Sequence, residues 1–404
     1  MKRSDRLSIT LYLALEQMAD FSRAGLTLAF GRIGRFCLTM GIVSLMLLTA
    51  SSAQRTFSLT SVVAITPSDA WALGNNAITS GGAIYASTLA EHWDGVQWTV
   101  VSTPIPQGGC SAFSAVGALS SNDVWAAGTI YEDAGNCGYT SWRAKPGFLE
   151  HWDGVSWKIV SSPSPATKRF TGVAAIAAND VWAVGYDTDP KSFSVTTLTE
   201  HWDGSRWAVV PSPMIQGAQQ VYLDAVTAIA TNDVWAVGSY SSALEAQAPF
   251  AEHWDGTTWK VVPVPETASG FFLFSASSDG ANEVWATGYD DLALRWDGSR
   301  WISYPIANTN GDLSGLNGVL AFPGGEVWAV GYDSPNGAVT LTLAEHWDGV
   351  AWKRFPSPNL TTISDLRAVS GTSPSDVWAV GQYGYRHTLV EHWDGAVWTL
   401  VPSP

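Results

Sequence analysis

Charged residues are scarce in this chain of 404 residues, where Asp, Glu, Lys and Arg together make up 14%. Soluble proteins carry about a quarter charged residues, so an unusually neutral surface is expected. Positive charge is the scarcer sign, because 21 Lys and Arg stand against 36 Asp and Glu, a formal net charge of −15. Such a chain is not expected to bind a nucleic-acid backbone or an anionic membrane surface.

Helix-forming Glu and Lys are also scarce, whereas the chain contains 38 Gly, 20 Pro and 22 Trp. These three residue types are poorly accommodated in helices, which argues against a helical bundle. Intrinsic disorder is excluded, because a chain that is 46% hydrophobic can bury a large core. The composition therefore favours an all-β fold.

The first 53 residues differ in composition from the rest of the chain. They contain six of the 21 basic residues, three acidic residues and no tryptophan. An uncharged hydrophobic run at 36–50 follows the basic residues, and small residues up to Ala53 complete the pattern of an export signal. The run is shorter than the roughly 20 residues that span a bilayer. A cleaved signal is therefore favoured over an uncleaved signal-anchor or a buried helix, and a secreted or cell-envelope location is expected.

Two short phrases alternate seven times in the remainder of the chain. The first is DVWAVG or a close variant, and it begins at Asp69, Asp123, Asp180, Asp233, Glu283, Glu326 and Asp376. The second is EHWDGxxW, and it begins at Glu91, Glu150, Glu200, Glu252, Leu294 (as LRWDGSRW), Glu345 and Glu391. Together they account for 21 of the 22 tryptophans and leave only Trp142 outside the pattern. Such periodicity indicates a repeat architecture.

Each repeat predicts four short antiparallel strands, named A to D. A small apolar segment, a polar turn and the apolar VWAVG run predict strands A and B, and the Asp-Gly pair between the two final tryptophans predicts a C–D hairpin. Units of about 50 residues are marginal alone, so we expect mutual packing into a seven-bladed β-propeller over residues 57–404. The expected repeats are 57–104, 105–163, 164–213, 214–265, 266–305, 306–358 and 359–404.

The VWAVG strand followed by the WDGxxW hairpin resembles the Asp-box propellers, which include bacterial sialidases and the photosystem II assembly-factor type. Repeat three matches their hairpin motif at Asp203, Gly204 and Trp207, while His201 stands where that motif has Ser, and the motif's second Gly is missing. Kelch and galactose-oxidase propellers are a looser likeness. The repeats also resemble those of uncharacterised exported bacterial proteins. The resemblance implies a propeller fold and leaves the function open.

The residues that recur in every repeat are interpreted as structural. The EHW histidines lie on separate units, too far apart to share a metal ion. The WDG aspartates are expected to cap the C–D turns, and the paired tryptophans are expected to pack between units. No catalytic, cofactor-binding or metal-binding residues are predicted.

The unrepeated residues are the candidates for function. In a propeller the B–C and D–A connections share one end, named here the loop face, whereas the A–B turns and C–D hairpins share the other, the turn face. Variable loops on a constant scaffold commonly bind ligands, although drift in unselected loops is the alternative. The candidate ligand face comprises Tyr131, Tyr139, Trp142, Arg143, Tyr186, Asp187, Tyr289, Asp290, Tyr332, Asp333, Tyr385 and His387.

The sequence therefore predicts an exported, non-catalytic binding scaffold, a monomer whose partner is an unknown glycan or protein. The alternative is a carbohydrate-active enzyme, sialidase-like or galactose-oxidase-like, on the same propeller. Cys110 and Cys137 are predicted to form a disulfide bond that anchors the longest loop, because both lie on the loop face of repeat two and export permits oxidation. Two unrelated thiols are the competing interpretation.

Overall fold

The computed structural model describes residues 54–80, 83–106, 110–131, 144–163, 167–243, 247–265, 272–304, 306 and 313–404. The expected export signal at 1–53 lies outside these residues. The described residues form 28 strands in seven consecutive groups of four. The first group consists of β1 Gln54–Thr66, β2 Asp69–Ser80, β3 Ala83–Trp93 and β4 Trp98–Val100, and the second of β5 Cys110–Ser120, β6 Asp123–Tyr131, β7 Ala144–Trp152 and β8 Trp157–Val160. The third group consists of β9 Lys168–Ala177, β10 Asp180–Thr188, β11 Val195–Trp202 and β12 Trp207–Val209, and the fourth of β13 Ala218–Ala230, β14 Asp233–Ser242, β15 Ala248–Trp254 and β16 Trp259–Val261. The fifth group consists of β17 Leu273–Ser278, β18 Val284–Gly288, β19 Ala293–Trp296 and β20 Trp301–Ser303. The sixth consists of β21 Leu313–Ala321, β22 Val327–Ser334, β23 Leu341–Trp347 and β24 Trp352–Arg354, with a 3₁₀ turn at Pro335–Gly337 between β22 and β23. The seventh consists of β25 Ser364–Ser373, β26 Asp376–Tyr383, β27 His387–Trp393 and β28 Trp398–Leu400.

Consecutive strands within each group pair antiparallel, so the fold is an all-β propeller of four-stranded antiparallel blades. The sequence predicted seven separate sheets. Within the described residues there are six: five have four strands, and one has eight because groups three and four are joined. The joint is a single parallel pair between Val195 of β11 and Gln220 of β13. Strand β13 is 13 residues long, and its first residues reach strand C of the preceding group at the loop face.

The A strands are innermost, and each contacts the A strand of the next group. Every A strand carries a β-bulge opposite the glycine that ends the VWAVG run or its variant. A Cβ at Gly331 would lie only 1.8 Å from the backbone oxygen of Gly315, which explains the glycine. The bulged residue can also join neighbouring A strands, as when the Thr171 hydroxyl donates to the Leu223 oxygen at 2.6 Å.

Neighbouring groups are held together by a repeated set of three tryptophans. The strand-B tryptophan of one group contacts the C and D tryptophans of the next: the ring of Trp71 lies 4.9 Å from that of Trp152 and 5.2 Å from that of Trp157. The other strand-B tryptophans with this contact are Trp125, Trp182, Trp235, Trp285, Trp328 and Trp378. All seven are at most 2% exposed. The packing role expected for the repeated tryptophans is confirmed.

The last group packs against the first by the same contacts. Trp378 lies 5.0 Å from Trp93 and 5.2 Å from Trp98. At the loop face, the Phe57 amide donates to the Arg386 oxygen at 2.9 Å. Each four-strand group is continuous in sequence, so the described strands close the ring by packing and hydrogen bonds rather than by exchanging a strand.

The repeated His and Asp residues stabilise individual groups near the turn face. His201 Nε2 lies 2.8 Å from Asp180 Oδ1, and the histidine ring packs on Trp182 at 4.7 Å. In the fifth group Arg295 takes the place of the histidine and pairs with Glu283. The WDG aspartates cap the C–D turns by accepting two backbone amides each; the capping residues are Asp94, Asp153, Asp203, Asp255, Asp297, Asp348 and Asp394.

The glutamate that precedes each repeated histidine is buried between groups. These residues are Glu91, Glu150, Glu200, Glu252, Glu345 and Glu391, and none is more than 4% exposed. A serine of the preceding group donates to several of them, as Ser212 does to Glu252 at 2.6 Å. Both carboxyl oxygens of Glu150 are buried without a hydrogen-bond partner among the described residues, and burial raises its pKa to about 8. The sequence did not single out this position, because a glutamate in a polar tripeptide carries no sign of burial.

Candidate functional site

The predicted ligand face is described in part. Tyr139, Trp142, Arg143 and Cys137 fall within 132–143, outside the described residues. The other candidates lie at the loop-face ends of the B strands, in the B–C connections after them or, for His387, at the start of strand C: Tyr131, Tyr186, Asp187, Tyr289, Asp290, Tyr332, Asp333, Tyr385 and His387. They do not form one site. They separate into three groups that lie between different neighbouring blades.

The first group surrounds Arg169, which is half-buried on strand β9 near the axis. Its guanidinium carbon lies 5.9 Å from the ring centroids of both Tyr131 and Tyr186, within the range of cation–π attraction. Nη1 donates to the Tyr186 hydroxyl at 3.3 Å, and Tyr222 packs edge-on against Tyr186 at 4.9 Å. These four residues are named the arginine–tyrosine cluster. Three successive units contribute to it, which is why repeat analysis could not predict Tyr222.

Two carboxylates lie near this cluster without pairing with Arg169. Asp187, a predicted candidate, accepts a hydrogen bond from the Thr167 hydroxyl at 2.6 Å. Asp224 follows Leu223 on β13 at the bulge position, and burial raises its pKa to about 7. Asp224 is therefore largely protonated in mildly acidic solution and carries only partial charge at neutral pH.

The second group lies between the fifth and sixth units, where Tyr289 and Leu292 enclose a tight turn. Asp290 and Asp291 have φ of 58° and 54°, and the Leu292 amide donates to the Tyr289 oxygen at 3.3 Å, as in a type I′ turn. The two side chains have opposite environments, since Asp290 is exposed whereas Asp291 is 8% exposed. Asp290 was a predicted candidate, yet its neighbour is the buried group.

Asp291 has the features of a functional carboxyl group. Its Oδ1 is buried and has no hydrogen-bond partner in the described part of the chain, and burial raises the pKa of Asp291, an effect that a hydrogen bond from Ser314 opposes. Burial also raises the pKa of Glu345 to about 7, and Asp333 forms an ion pair with Arg354 at 2.7 Å. We name Asp291, Asp333, Glu345 and Arg354 the carboxylate cluster. Carboxyl groups whose pKa is raised by burial keep their protons to higher pH than exposed ones, and in that form they can donate hydrogen bonds or protons.

Tyr332 borders the carboxylate cluster. A Cβ at Gly315 would lie 2.9 Å from the Tyr332 ring, so the ring packs closely on this part of β21. Burial raises the pKa of Tyr332, and the charge of Asp291 adds to this effect. The phenol therefore remains neutral and available as a hydrogen-bond donor.

The third group contains exposed aromatic side chains on the last B–C turn. Gly384 and Tyr385 have φ of 58° and 59°, and the Arg386 amide donates to the Tyr383 oxygen at 3.2 Å, which makes a second type I′ turn. Tyr385 is 65% exposed. His387 stacks on Tyr383 at 4.8 Å and lines a pocket of about 420 Å³ between the last and first units.

A further aromatic residue, Phe193, is presented in the same way on the third unit. It has φ of 57° and is 68% exposed. The loop beneath it is ordered by Asp189, whose Oδ1 accepts the amides of Lys191 and Ser192 at 2.7 and 3.1 Å. These bonds also lower the pKa of Asp189. Phe193 was not a predicted candidate, and only its place in a predicted B–C loop could have indicated it.

Cys110 is buried at the start of β5 and is disulfide-bonded. Its predicted partner, Cys137, lies outside the described residues, so the pairing stays a prediction. No group of three or more His, Cys, Asp or Glu side chains placed to hold a metal ion occurs in the described part of the chain. Nor do the described residues include a helix long and apolar enough to cross a membrane.

No protein-family model and no curated protein matches this chain. Solved structures match it at low identity. YCF48 from Cyanidioschyzon merolae is 13% identical, with a TM-score of 0.52, and the match covers 86% of this chain and 98% of that protein. A GH74 xyloglucanase from Xanthomonas campestris is 13% identical, with a TM-score of 0.54, and the match covers 84% of this chain and 53% of the enzyme. A protein of unknown function from Dyadobacter fermentans is 14% identical, with a TM-score of 0.50, over 73% of this chain and 94% of that protein.

This chain therefore spans about half the length of the xyloglucanase. The structural neighbours are β-propellers. At this level of identity the likeness extends to the fold and not to the ligand.

Proposed function

We propose that this protein is an exported, non-catalytic binding scaffold that recognises a glycan or protein ligand through its loop face. The observation that carries the proposal is the presentation of large aromatic side chains on ordered, left-handed turns. Phe193 and Tyr385 are 68% and 65% exposed, and each has φ near +60°. A bulky residue in this backbone region costs on the order of 1–3 kcal/mol, and such strain concentrates at ligand-binding sites.

Two features of the loop face suit a hydroxyl-rich or polar ligand. Exposed aromatic rings offer apolar contact area with little loss of side-chain entropy, and tyrosine adds a hydroxyl that donates and accepts. The arginine–tyrosine cluster adds a cation near the axis. The turn face, by contrast, presents repeated WDGxxW tips whose aspartates are occupied with capping their own turns.

The proposal assumes one ring of seven blades, with the eight-stranded sheet counted as two blades joined by one residue pair. Seven equivalent tryptophan contacts, including the contact of Trp378 with Trp98, support this count. The WDG hairpins support a likeness to Asp-box propellers, and kelch propellers remain the looser likeness. We further propose that residues 1–53 direct export and that the protein acts as a monomer without a cofactor.

A carbohydrate-active enzyme is the second candidate, and the carboxylate cluster favours it. Asp291 and Glu345 are buried carboxyl groups with raised pKa, as general acids require. Asp291→Asn and Glu345→Gln separate the two candidates. Loss of turnover in these variants, with ligand binding retained, would support an enzyme.

The binding proposal is tested by screening the full chain against glycans and cell-envelope proteins. Any ligand found is then measured with the Phe193→Ala/Tyr385→Ala double variant. The matched control is Val350→Ala/Arg206→Ala, which removes exposed side chains from the turn face. We expect the loop-face variant to weaken binding at least about tenfold and the control to bind normally. Equal binding by both variants would contradict the proposal.

A further inference from the structure

Arg169 is a half-buried cation whose charge is not balanced within the described residues. Nε is buried and has no hydrogen-bond partner, and Nη1 donates to the Tyr186 hydroxyl at 3.3 Å. Other arginines of the ring are paired with carboxylates: Arg295 with Glu283, Arg354 with Asp333, and Arg367 with Asp365. Arg169 therefore differs from them in its surroundings.

The two nearby carboxylates do not supply the missing charge. Asp187 accepts its hydrogen bond from Thr167, and no ion pair joins it to Arg169 among the described residues. Asp224 lies near Tyr222, and burial raises its pKa to about 7, so it carries only part of a negative charge at neutral pH. Arg169 therefore has no ion-pair partner among the described residues, in a chain that is acidic overall.

A partly desolvated guanidinium without an anionic partner is an unfavourable arrangement. The rings of Tyr131 and Tyr186 offset part of this desolvation by cation–π attraction. Apart from the bond from Nη1 to Tyr186, no described residue accepts a hydrogen bond from the guanidinium, whose planar donors match an oxyanion in shape.

We propose that the arginine–tyrosine cluster is a subsite for the carboxylate of an acidic saccharide. The inference rests on the proposed binding function and names the ligand class for one part of the loop face. The two Nη groups of Arg169 provide the donors for the carboxylate, while Tyr131, Tyr186 and Tyr222 provide ring faces and hydroxyls for the sugar. A neutral saccharide would leave Arg169 unpaired and bind more weakly, because an unmade charged hydrogen bond in a partly buried site is unfavourable.

The test compares galacturonate oligosaccharides with galactose oligosaccharides of equal length by calorimetric titration of the full chain. We expect the acidic ligand to bind at least about tenfold more tightly than the neutral one, as for a charged hydrogen-bonded pair. Arg169→Gln should remove this preference, and Arg169→Lys, which keeps the charge without the planar donors, should retain part of it. The matched control is Arg206→Gln on the turn face, where the side chain is 81% exposed, and it should bind as the wild type does.

Equal affinity for acidic and neutral ligands, or unchanged preference in Arg169→Gln, would overturn the inference. Arg169-dependent binding of acidic peptides without binding of galacturonate would also overturn it, because the saccharide assignment would be wrong. Thermal unfolding of each variant is measured alongside, and Arg169→Lys carries the test if Arg169→Gln does not fold. If Phe193→Ala/Tyr385→Ala abolishes binding of some other ligand while Arg169→Gln does not, the inference fails and the proposed function stands.

Discussion

Stability should fall as the pH rises from 5 to 9, because glutamates are buried between the units. Glu150 is the clearest case, since it is fully buried and neither carboxyl oxygen has a partner among the residues that the structure describes. Its pKa is raised from 4.5 to about 8 by burial. Below pH 4.5 the carboxyl is protonated in the folded and the unfolded chain, so its contribution to stability is fully present. That contribution is lost as the pH rises through about 8, because the unfolded chain ionises freely and the folded chain does not.

The magnitude for Glu150 follows from the two pKa values. The interval from 4.5 to about 8 corresponds to about 5 kcal/mol, at about 1.4 kcal/mol for each pH unit. Unfolding of about 350 residues has an entropy near 0.7 kcal/mol/K, so this free energy amounts to roughly 7 °C in Tm. Burial raises the pKa of Glu252 and Glu391 to about 8 as well, so other interfaces should add to the fall.

The assay is thermal unfolding at pH 5 and pH 9 of the wild type and of Glu150→Gln. Between pH 5 and pH 9 about 4 kcal/mol of this effect is expressed, so the variant should lose less stability than the wild type, by roughly 5 °C in Tm, and should be the more stable protein at pH 9. Asp290→Asn, which removes an exposed carboxylate on a loop, is the control and should keep the wild-type slope. The turn-capping aspartates do not interfere, since their hydrogen bonds hold the pKa low, as for Asp203 at about 2. An identical slope in Glu150→Gln and the wild type would refute the reasoning.

Three further predictions concern stability and covalent structure. Trp235→Ala should lower the free energy of unfolding in urea by about 3–5 kcal/mol, because it removes a buried aromatic ring from the interface between two units. Phe193→Ala, which removes an exposed ring, should change that free energy by less than about 0.5 kcal/mol. Equal losses in the two variants would contradict the assigned packing roles. Gly331→Ala should destabilise by about 1–3 kcal/mol or more, since its Cβ would overlap a backbone oxygen of the opposite strand, and an unchanged urea midpoint would count against that close approach. Thiol titration of the denatured, exported protein should find no free Cys110 or Cys137, and two reactive thiols would exclude the predicted bridge.

The architecture was accessible from the sequence because its signals are local and repeated. Strand B and the C–D hairpin are specified within about six residues each, by an apolar run and by Asp-Gly between two tryptophans. The structure places Trp182 and the turn at Asp203 as those patterns predict. The prediction of seven separate sheets was wrong in one place, because the single pair Val195–Gln220 joins two groups. A one-residue contact between distant strands has no local signature.

The candidate site was harder to predict from the sequence. A comparison of repeats identifies the residues that all repeats share, whereas a binding site consists of residues that differ between repeats. The sequence placed Tyr186, Asp290 and Tyr385 correctly near the loop-face ends of B strands, and it did not predict Phe193 or Asp291. Whether Asp290 or Asp291 is buried depends on the handedness of a two-residue turn and on the neighbouring unit that covers it. The Asp-Asp dipeptide by itself predicts neither the handedness of the turn nor the unit that covers it.

By itself, the sequence determined the strand order, the repeated tryptophan core and the capped turns, since each depends on residues that are close together in the chain. The tertiary structure alone decided that Arg169 lies between Tyr131 of the preceding unit and Tyr186 of its own, with Tyr222 of the following unit beside it. It also decided that Glu150 is buried with no hydrogen-bond partner within the described ranges. The physical reason is the ring: packing each sheet on the next brings together residues about 40 to 50 positions apart, and their environment is set by how the sheets meet.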